Sequence, residues 1–164
     1  MRWRSSLLAV FILTALWSCQ TDTQTIYLVR HAEKDLTDTT DNPALTEAGI
    51  ARAQRLPGVV NTSDIDKIYS TKYRRNLNTV KPLADSLGIE IAIYEWYNWE
   101  PMLAEVRAAK KGAVLICGHG DNLLPMIEHL GATPPVDSLG KHEYDKIFKV
   151  RMNGDRADVK MLTY

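Results

Sequence analysis

The stretch Thr-Ile-Tyr-Leu-Val-Arg-His-Ala-Glu, residues 25–33, is the part of the sequence that decides the fold. Within it, Ile26 to Val29 is a continuous apolar run, which is typical of a strand covered on both faces in an α/β sheet. Arg30 and His31 follow this run directly. Because open α/β sheets bind ligands beyond the carboxyl ends of their strands, we expect both side chains to face a binding crevice.

A further charged position follows a second predicted strand. Residues 66–69 are predicted to form a short strand, and residues 75–87 a helix that closes at Gly88. Arg75 is therefore the first residue of a helix that begins just after a strand. If the strands are parallel, Arg75 lies at the same edge of the sheet as the Arg–His pair.

A second histidine occupies a third position of the same kind. The segment Gly118-His119-Gly120 lies between a predicted strand, residues 113–117, and a predicted helix, residues 122–130. Its glycines would let the backbone approach a ligand closely and leave helix amides free to face an anion. Two histidines and two arginines are thus expected to converge on one pocket, and imidazoles beside fixed cations indicate phosphate chemistry.

Four motifs stand in a fixed order along the chain. They are Val29-Arg30-His31-Ala32-Glu33, Leu45-Thr46-Glu47-Ala48-Gly49, Tyr69-Ser70-Thr71 with Arg75 and Thr79, and Gly118-His119-Gly120. This ordered set resembles the histidine phosphatase superfamily, which has the phosphoglycerate-mutase-like fold, and the resemblance covers residues 25–163. It implies an α/β fold: a three-layer sandwich with a mostly parallel central sheet and helices on both faces.

The resemblance also implies roles for individual residues. His31 would be the nucleophile that becomes a phosphohistidine, while Arg30, Arg75 and His119 complete the phosphate pocket and Gly120 contacts the substrate. The chemistry agrees, because neutral imidazole has a reference pKa near 6.5 and is a competent nucleophile at physiological pH. Guanidinium is always charged and can donate two parallel hydrogen bonds to a phosphoryl group.

The chain departs from the family pattern at two points. Larger mutase-like members carry an asparagine six residues after the nucleophilic histidine, where this chain has Thr37. The acid that protonates the leaving group is also open. Glu95, just after a predicted strand at residues 89–94, is one choice; Asp121 and Glu33 are the others.

The number of residues between Arg75 and His119 bears on which reaction is expected. Residues 76–118 leave room for helices, including one predicted over residues 99–111, and short strands, but not for the long insertion that covers the substrate in mutases of this superfamily. An open pocket favours hydrolysis, because water can reach the phosphohistidine. We therefore predict a phosphoric monoester hydrolase acting on a small phosphorylated substrate. A protein phosphohistidine phosphatase and a non-catalytic phosphate- or glycan-binding lipoprotein remain the alternatives.

Residues 94–99, Tyr-Glu-Trp-Tyr-Asn-Trp, hold four aromatic side chains at the predicted edge of the site. They could form a stacking surface for a sugar, a base or an aromatic leaving group. Alternatively, Trp96 and Trp99 pack the following helix onto the sheet, with Asn98 as its N-cap.

The amino terminus predicts where the protein works. Arg2 and Arg4 precede an apolar run, Leu7 to Trp17, which is too short to span a bilayer of about 30 Å and is typical of a signal peptide. The run ends in Leu16-Trp17-Ser18-Cys19, which resembles a bacterial lipobox. We expect a lipoprotein signal peptide at residues 1–18, a lipidated tether at residues 19–24 beginning with acylated Cys19, and the phosphatase domain at residues 25–164, anchored in the cell envelope and facing the periplasm.

Composition and spacing exclude other classes of function. The chain carries 20 basic and 20 acidic side chains, which offers no electrostatic basis for nucleic acid binding. His129 and His142 lack the partner spacing of a zinc site, so neither metal nor cofactor is predicted. If Cys19 is acylated, Cys117 is the single remaining thiol and no internal disulfide can form. The last predicted unit is a hairpin of residues 146–152 and 157–163 with its turn at Asn153-Gly154.

Overall fold

In a computed structural model that describes residues 23–164, the chain forms one six-stranded sheet with helices on both faces. The strands are β1 (Thr23–Arg30), β2 (Ile65–Ser70), β3 (Ile91–Ile93), β4 (Gly112–Gly118), β5 (Lys146–Asn153) and β6 (Arg156–Thr163). The helices are α1 (Glu47–Arg55), α2 (Arg74–Leu87), α3 (Glu100–Ala109) and α4 (Leu123–His129), with short 3₁₀ turns at Leu56–Gly58 and Thr62–Asp64.

The spatial order of the strands is β3-β2-β4-β1-β5-β6. The first four are parallel, and the β5–β6 hairpin adds two antiparallel strands beside β1. The prediction of a mostly parallel sheet is therefore confirmed. In the register of β1 with β4, Arg30 pairs with Gly118, so the residues that follow these two strands emerge side by side.

The alternation of side chains along β1 explains why the sheet is covered on both faces. Ile26 and Leu28 point into a core shared with α3 and α4. Tyr27 and Val29 point into a second core, which α2 covers. All four side chains are buried, as a continuous apolar run predicts for a strand inside an α/β sandwich.

Helix α1, which the sequence analysis does not predict, packs against α2 and the end of β1. The Thr46 hydroxyl caps it by accepting from Gly49 N at 3.1 Å. A Cβ on Gly49 would lie 2.4 Å from the carbonyl oxygen of Glu33, so a glycine here allows the helix to approach the segment after β1. The buried residues of α1 are Gly49 and Ala53, which are too small to give a clear apolar stripe.

Several predicted boundaries differ from those observed. Gln24, expected in the tether, belongs to β1, where it is buried and donates from Nε2 to Val106 O at 2.7 Å. Helix α3 begins after Trp99 and no side chain caps it, so Asn98 is not its N-cap; Asn98 instead closes a turn by bonding to Glu95 O. The hairpin turn lies at Gly154 and Asp155, one residue later than predicted, because Asn153 still pairs within the sheet.

The predicted signal peptide, Cys19 and most of the predicted tether lie outside the described residues. Within residues 23–164, no helix is long and apolar enough to cross a membrane.

Candidate active site

The two histidines of the predicted site lie together beyond the carboxyl ends of β1 and β4. Their ring centroids are 5.5 Å apart, and the His31 amide donates to Gly118 O at 3.1 Å. Both residues are almost completely buried, with 4% of His31 and 9% of His119 exposed. The parallel register of the two strands therefore fixes the relative position of the two imidazoles.

One hydrogen bond orients the His31 ring. Nδ1 lies 2.8 Å from Ala32 O, and because a carbonyl only accepts, Nδ1 carries the proton and Nε2 holds the free lone pair. Burial lowers the pKa of His31 to about 3; the hydrogen bond to Ala32 opposes this, and the nearby His119 and Arg75 add to it. His31 is thus a neutral imidazole at physiological pH, with Nε2 available for attack.

His119 is held from both sides. Its amide donates to Asn122 Oδ1 at 2.9 Å, and its Nε2 lies 3.1 Å from the Thr71 hydroxyl. Burial and then the charge of Arg75 lower its pKa to about 4. The second imidazole is therefore also neutral near pH 7, so the positive charge of the site comes from arginine.

Arg75 places unpaired donors in this cluster. Its guanidinium lies 4.4 Å from the centroid of the Tyr73 ring, but Nε and Nη1 are buried and have no hydrogen-bond partner among the described residues. Burial lowers the pKa of Arg75, although a guanidinium remains charged at any physiological pH. Buried, unsatisfied N–H groups are rare and costly, and a site that binds an anion gives them a purpose.

Arg30 reaches the site with most of its donors already used. Nη1 donates to Gly140 O at 2.8 Å and to Glu143 O at 3.0 Å, and Nη2 donates to Lys141 O at 3.2 Å. Its guanidinium also lies 4.6 Å from the centroid of the Tyr144 ring. Nε is buried and unpartnered. Arg30 therefore holds the loop of residues 140–144 beside the site and leaves Nε without a protein partner among the described residues.

Gly120 lies against this arginine. A Cβ on Gly120 would be 3.2 Å from Arg30 Cζ, so a side chain there would displace the guanidinium. The loop after β4 can pass close to Arg30 because this position is glycine.

The three candidate proton donors differ in their surroundings. Glu33 pairs with Arg52 at 2.7 Å; burial is the largest single influence and raises its pKa, but the hydrogen bond and charge of Arg52, a backbone hydrogen bond and the charge of Arg55 together lower it. Glu95 pairs with Lys72 at 3.4 Å, and 43% of its side chain is exposed. Asp121 is exposed, and its charge acts on the imidazole of His119. Asp121 is thus the carboxylate most directly coupled to the histidines.

Thr37 does not supply the missing asparagine contact. Its amide and hydroxyl both bond to Asp35 Oδ1, at 2.9 and 2.7 Å, within an exposed loop.

Two features that often mark a functional site do not coincide with this cluster. No group of three or more His, Cys, Asp or Glu side chains able to hold a metal occurs within residues 23–164. A concavity of about 650 Å³ lies at the opposite end of the sheet, between Gln24, Arg107 and Met152. None of the four predicted site residues, Arg30, His31, Arg75 and His119, lines this concavity. The candidate site is therefore located by the chemistry of its side chains and not by the volume of a cavity.

The aromatic segment divides into two parts. Trp99 packs against the core and its ring lies 5.5 Å from that of His129, as the packing interpretation predicts. Trp96 and Tyr97 are exposed instead. The packing interpretation is therefore correct for Trp99 but not for Trp96.

The sequence analysis assigns no role to several residues that complete the site: Thr71, Tyr73, Asn122 and Tyr144. Thr71 and Asn122 hold His119, and each stands beside a strand end that was already singled out. Tyr73 and Tyr144 each lie under an arginine. No local pattern identifies Tyr144, because its partners Arg30 and His31 are more than a hundred residues away in sequence.

Comparison with known proteins agrees with this geometry. Residues 26–96 match the histidine phosphatase superfamily (branch 1). A 2,3-bisphosphoglycerate-dependent phosphoglycerate mutase from Thermoplasma acidophilum is 34% identical over 70 residues. That alignment covers 39% of this chain and 35% of the mutase, so the chain matches about a third of this relative's length.

Solved structures share the fold over most of the chain. The protein histidine phosphatase SixA, determined with tungstate, has a TM-score of 0.69 at 14% identity, covering 85% of this chain and 96% of SixA. A putative α-ribazole-5′-phosphate phosphatase from Escherichia coli K-12 has a TM-score of 0.67 at 14% identity, covering 86% and 96%. The match over residues 26–96, the shared fold and the placement of the motifs at the strand ends together support assignment of the chain to the histidine phosphatase superfamily.

Proposed function

We propose that the protein hydrolyses a phosphomonoester through a phosphohistidine at His31, without a metal ion. The observation that carries the proposal is the arrangement of buried arginine donors around two neutral imidazoles. Nε and Nη1 of Arg75 and Nε of Arg30 lack partners among the described residues, and they flank a histidine whose Nε2 carries a free lone pair. A phosphoryl group satisfies these donors and presents phosphorus to the nucleophile.

The proposed reaction has two steps. Nε2 of His31 attacks phosphorus, the bond from phosphorus to the leaving oxygen breaks, and that oxygen takes a proton from a general acid, for which Asp121 is the candidate; in the second step the same carboxylate takes back a proton from the attacking water. Water then attacks the phosphohistidine, which returns His31 and releases inorganic phosphate. The arginines stabilise the charge on the equatorial oxygens in both steps, and His119, held by Thr71, adjoins the same group.

Hydrolysis is favoured over transfer to a second substrate position. Between Arg75 and His119 the chain forms the remainder of α2, then β3, α3 and β4, with no inserted unit above the site. Water therefore has access to the phosphohistidine, and a released intermediate is not enclosed.

The test uses the full-length chain in mild detergent with EDTA present. It should hydrolyse p-nitrophenyl phosphate, and His31→Ala should abolish turnover. The matched control is His129→Ala, which removes the exposed histidine at the far end of α4 and should leave turnover unchanged. Quenching in alkali during turnover should give a phosphate adduct on His31 by mass spectrometry. Activity that requires a divalent cation, or that survives His31→Ala, would overturn the mechanism.

The same assay separates the alternatives. A substrate panel of sugar phosphates, nucleotides and a phosphohistidine peptide would identify a protein phosphohistidine phosphatase by selective turnover of the peptide. Binding of tungstate without turnover of any substrate would identify a non-catalytic phosphate-binding protein.

We also propose that the protein is a lipoprotein of the bacterial cell envelope. The support is the basic and apolar pattern of residues 2–17 followed by Leu16-Trp17-Ser18-Cys19. Expressed in a bacterium, the full chain should enter the membrane fraction with the mass of a diacylglyceryl-modified Cys19, and Cys19→Ala should prevent that processing. An unmodified protein free in the periplasm would contradict the proposal.

A further inference from the structure

We propose that Tyr73, Trp96 and Tyr97 form an aromatic surface that binds a planar aromatic leaving group of the substrate. The assignment of this group as a leaving group rests on the proposed function, whereas its binding does not. The three side chains are called the aromatic surface below.

The aromatic surface borders the phosphate site. The ring of Tyr73 lies 5.5 Å from the ring of His119, and the ring of Trp96 lies 6.5 Å from it. Both rings meet the imidazole edge to face, at 87° and 69°. Because His119 itself lies 5.5 Å from His31, a phosphoryl group held between the histidines carries its substituent within reach of these rings.

Two of the three side chains of the aromatic surface, Trp96 and Tyr97, are exposed, and Tyr73 is half-buried. Of Trp96, 38% is exposed, and of Tyr97, 67%. Their rings contact each other in a T-shaped pair at 5.8 Å and 85°. Trp99, three residues later, packs against the core instead. Large aromatic side chains left exposed beside a site indicate recognition of a ligand more than packing.

The segment that carries Trp96 and Tyr97 is fixed to the site. Asn122 accepts from the His119 amide at 2.9 Å and donates from Nδ2 to Trp96 O at 3.3 Å, so one side chain holds both residues. The turn is closed by the Asn98 amide, which donates to Glu95 O at 3.1 Å. A surface that is already ordered loses little conformational entropy when a ligand binds.

The chemistry of the surface favours an aromatic ring. Lys72 and Glu95, next to Tyr73 and Trp96 in sequence, pair with each other at 3.4 Å and so offer no free charge, while the charge of Arg75 beside Tyr73 belongs to the phosphate site. What remains is ring faces and edges, and stacking of an aromatic ring on such a surface is expected to raise affinity about tenfold.

The test measures binding of three non-hydrolysable phosphonates to the full-length chain by isothermal titration calorimetry. Benzylphosphonate is expected to bind about tenfold more tightly than methylphosphonate, and more tightly than cyclohexylmethylphosphonate, which has similar bulk but no π-face. Trp96→Leu and Tyr97→Ala should each lower affinity for benzylphosphonate about five- to tenfold and leave affinity for methylphosphonate unchanged. Met161→Ala, which removes an exposed apolar side chain on β6, is the matched control and should change neither.

The outcomes distinguish this inference from the proposed function. Equal affinity for benzylphosphonate and cyclohexylmethylphosphonate, or a preference that survives both variants, would overturn the aromatic surface while leaving the hydrolase intact. The expected preference in a protein that turns over no phosphomonoester would support the surface and overturn the hydrolase. Failure to bind any phosphonate would overturn both.

Discussion

Replacing Arg75 with methionine should make the protein more stable and nearly inactive. In the free protein the guanidinium of Arg75 has two buried donors, Nε and Nη1, with no partner among the described residues. Each unsatisfied buried donor costs about 1–3 kcal/mol, and the contact with the Tyr73 ring returns about 0.5–1 kcal/mol. Because Arg75 is only half-buried, the lower end of this cost applies. Methionine fills a similar volume without any donor, so the free energy of unfolding should rise by about 1–2 kcal/mol.

The same substitution removes two charge-assisted hydrogen bonds to the phosphoryl group. At about 1.5–3 kcal/mol each, their loss should lower kcat/KM for a phosphomonoester by about 10²- to 10⁴-fold. The opposite signs of the two effects follow from one observation, since the donors that destabilise the free protein are those that bind the anion.

Thermal unfolding with and without tungstate checks both effects. Without anion, the variant should melt about 3–8 °C above the wild type. Tungstate should raise the melting temperature of the wild type and have little effect on the variant. The control is Arg74→Met, because Arg74 is exposed and pairs with Asp38; it should preserve activity and the tungstate response. A variant that melts below the wild type, or that keeps its activity, would refute the assignment of unpaired donors.

Three further expectations concern the other ionisable groups. Burial lowers the pKa of His31 to about 3 and that of His119 to about 4, so the unfolded chain binds more protons than the folded chain below pH 6.5. The free energy of unfolding should therefore fall from pH 6.5 towards pH 4, by up to about 2.7 kcal/mol per pH unit. In urea titrations, His31→Gln should about halve this slope. Glu33→Gln should cost about 1 kcal/mol of stability, measured by urea unfolding, yet leave kcat unchanged, because Arg52 holds this carboxylate. If Asp121 protonates the leaving group, Asp121→Asn should slow hydrolysis of alkyl phosphates about 10²-fold more than hydrolysis of p-nitrophenyl phosphate. Glu95→Gln should slow hydrolysis of both substrates by less than twofold. The reverse pattern in parallel assays would make Glu95 the proton donor.

The sequence predicts which candidate residues lie together because these residues follow strands. Strong apolar runs define β1 and β4, and parallel strands bring whatever follows them to one edge, so the His31–His119 pairing follows from two local patterns. The end of α2 at Gly88 is equally local, because the residue there adopts a left-handed conformation with φ of 65°.

Features that depend on long-range approach could not be predicted in this way. Helix α1 buries glycine and alanine, so its packing against Glu33 leaves no apolar periodicity in the sequence. The bonds from Arg30 to the carbonyls of residues 140–143 involve backbone atoms, which carry no sequence signal. These bonds use three of the five N–H groups of Arg30, so Nε and one N–H of Nη2 remain for the phosphate contact that the resemblance implies.

Tyrosine rings rather than carboxylates hold the two arginines in place, so the positive charge of the site is not neutralised and stays available to attract phosphate. Each guanidinium lies over a tyrosine ring, Arg30 over Tyr144 at 4.6 Å and Arg75 over Tyr73 at 4.4 Å. A carboxylate in either place would form a stronger pair, but it would also occupy the donors and repel a dianion. The face of an aromatic ring attracts a cation without accepting its N–H groups in the plane of the guanidinium. The arginines are thus fixed in position while Nε of each has no partner among the described residues, which is the arrangement that the proposed stabilisation of a phosphoryl group in transfer requires.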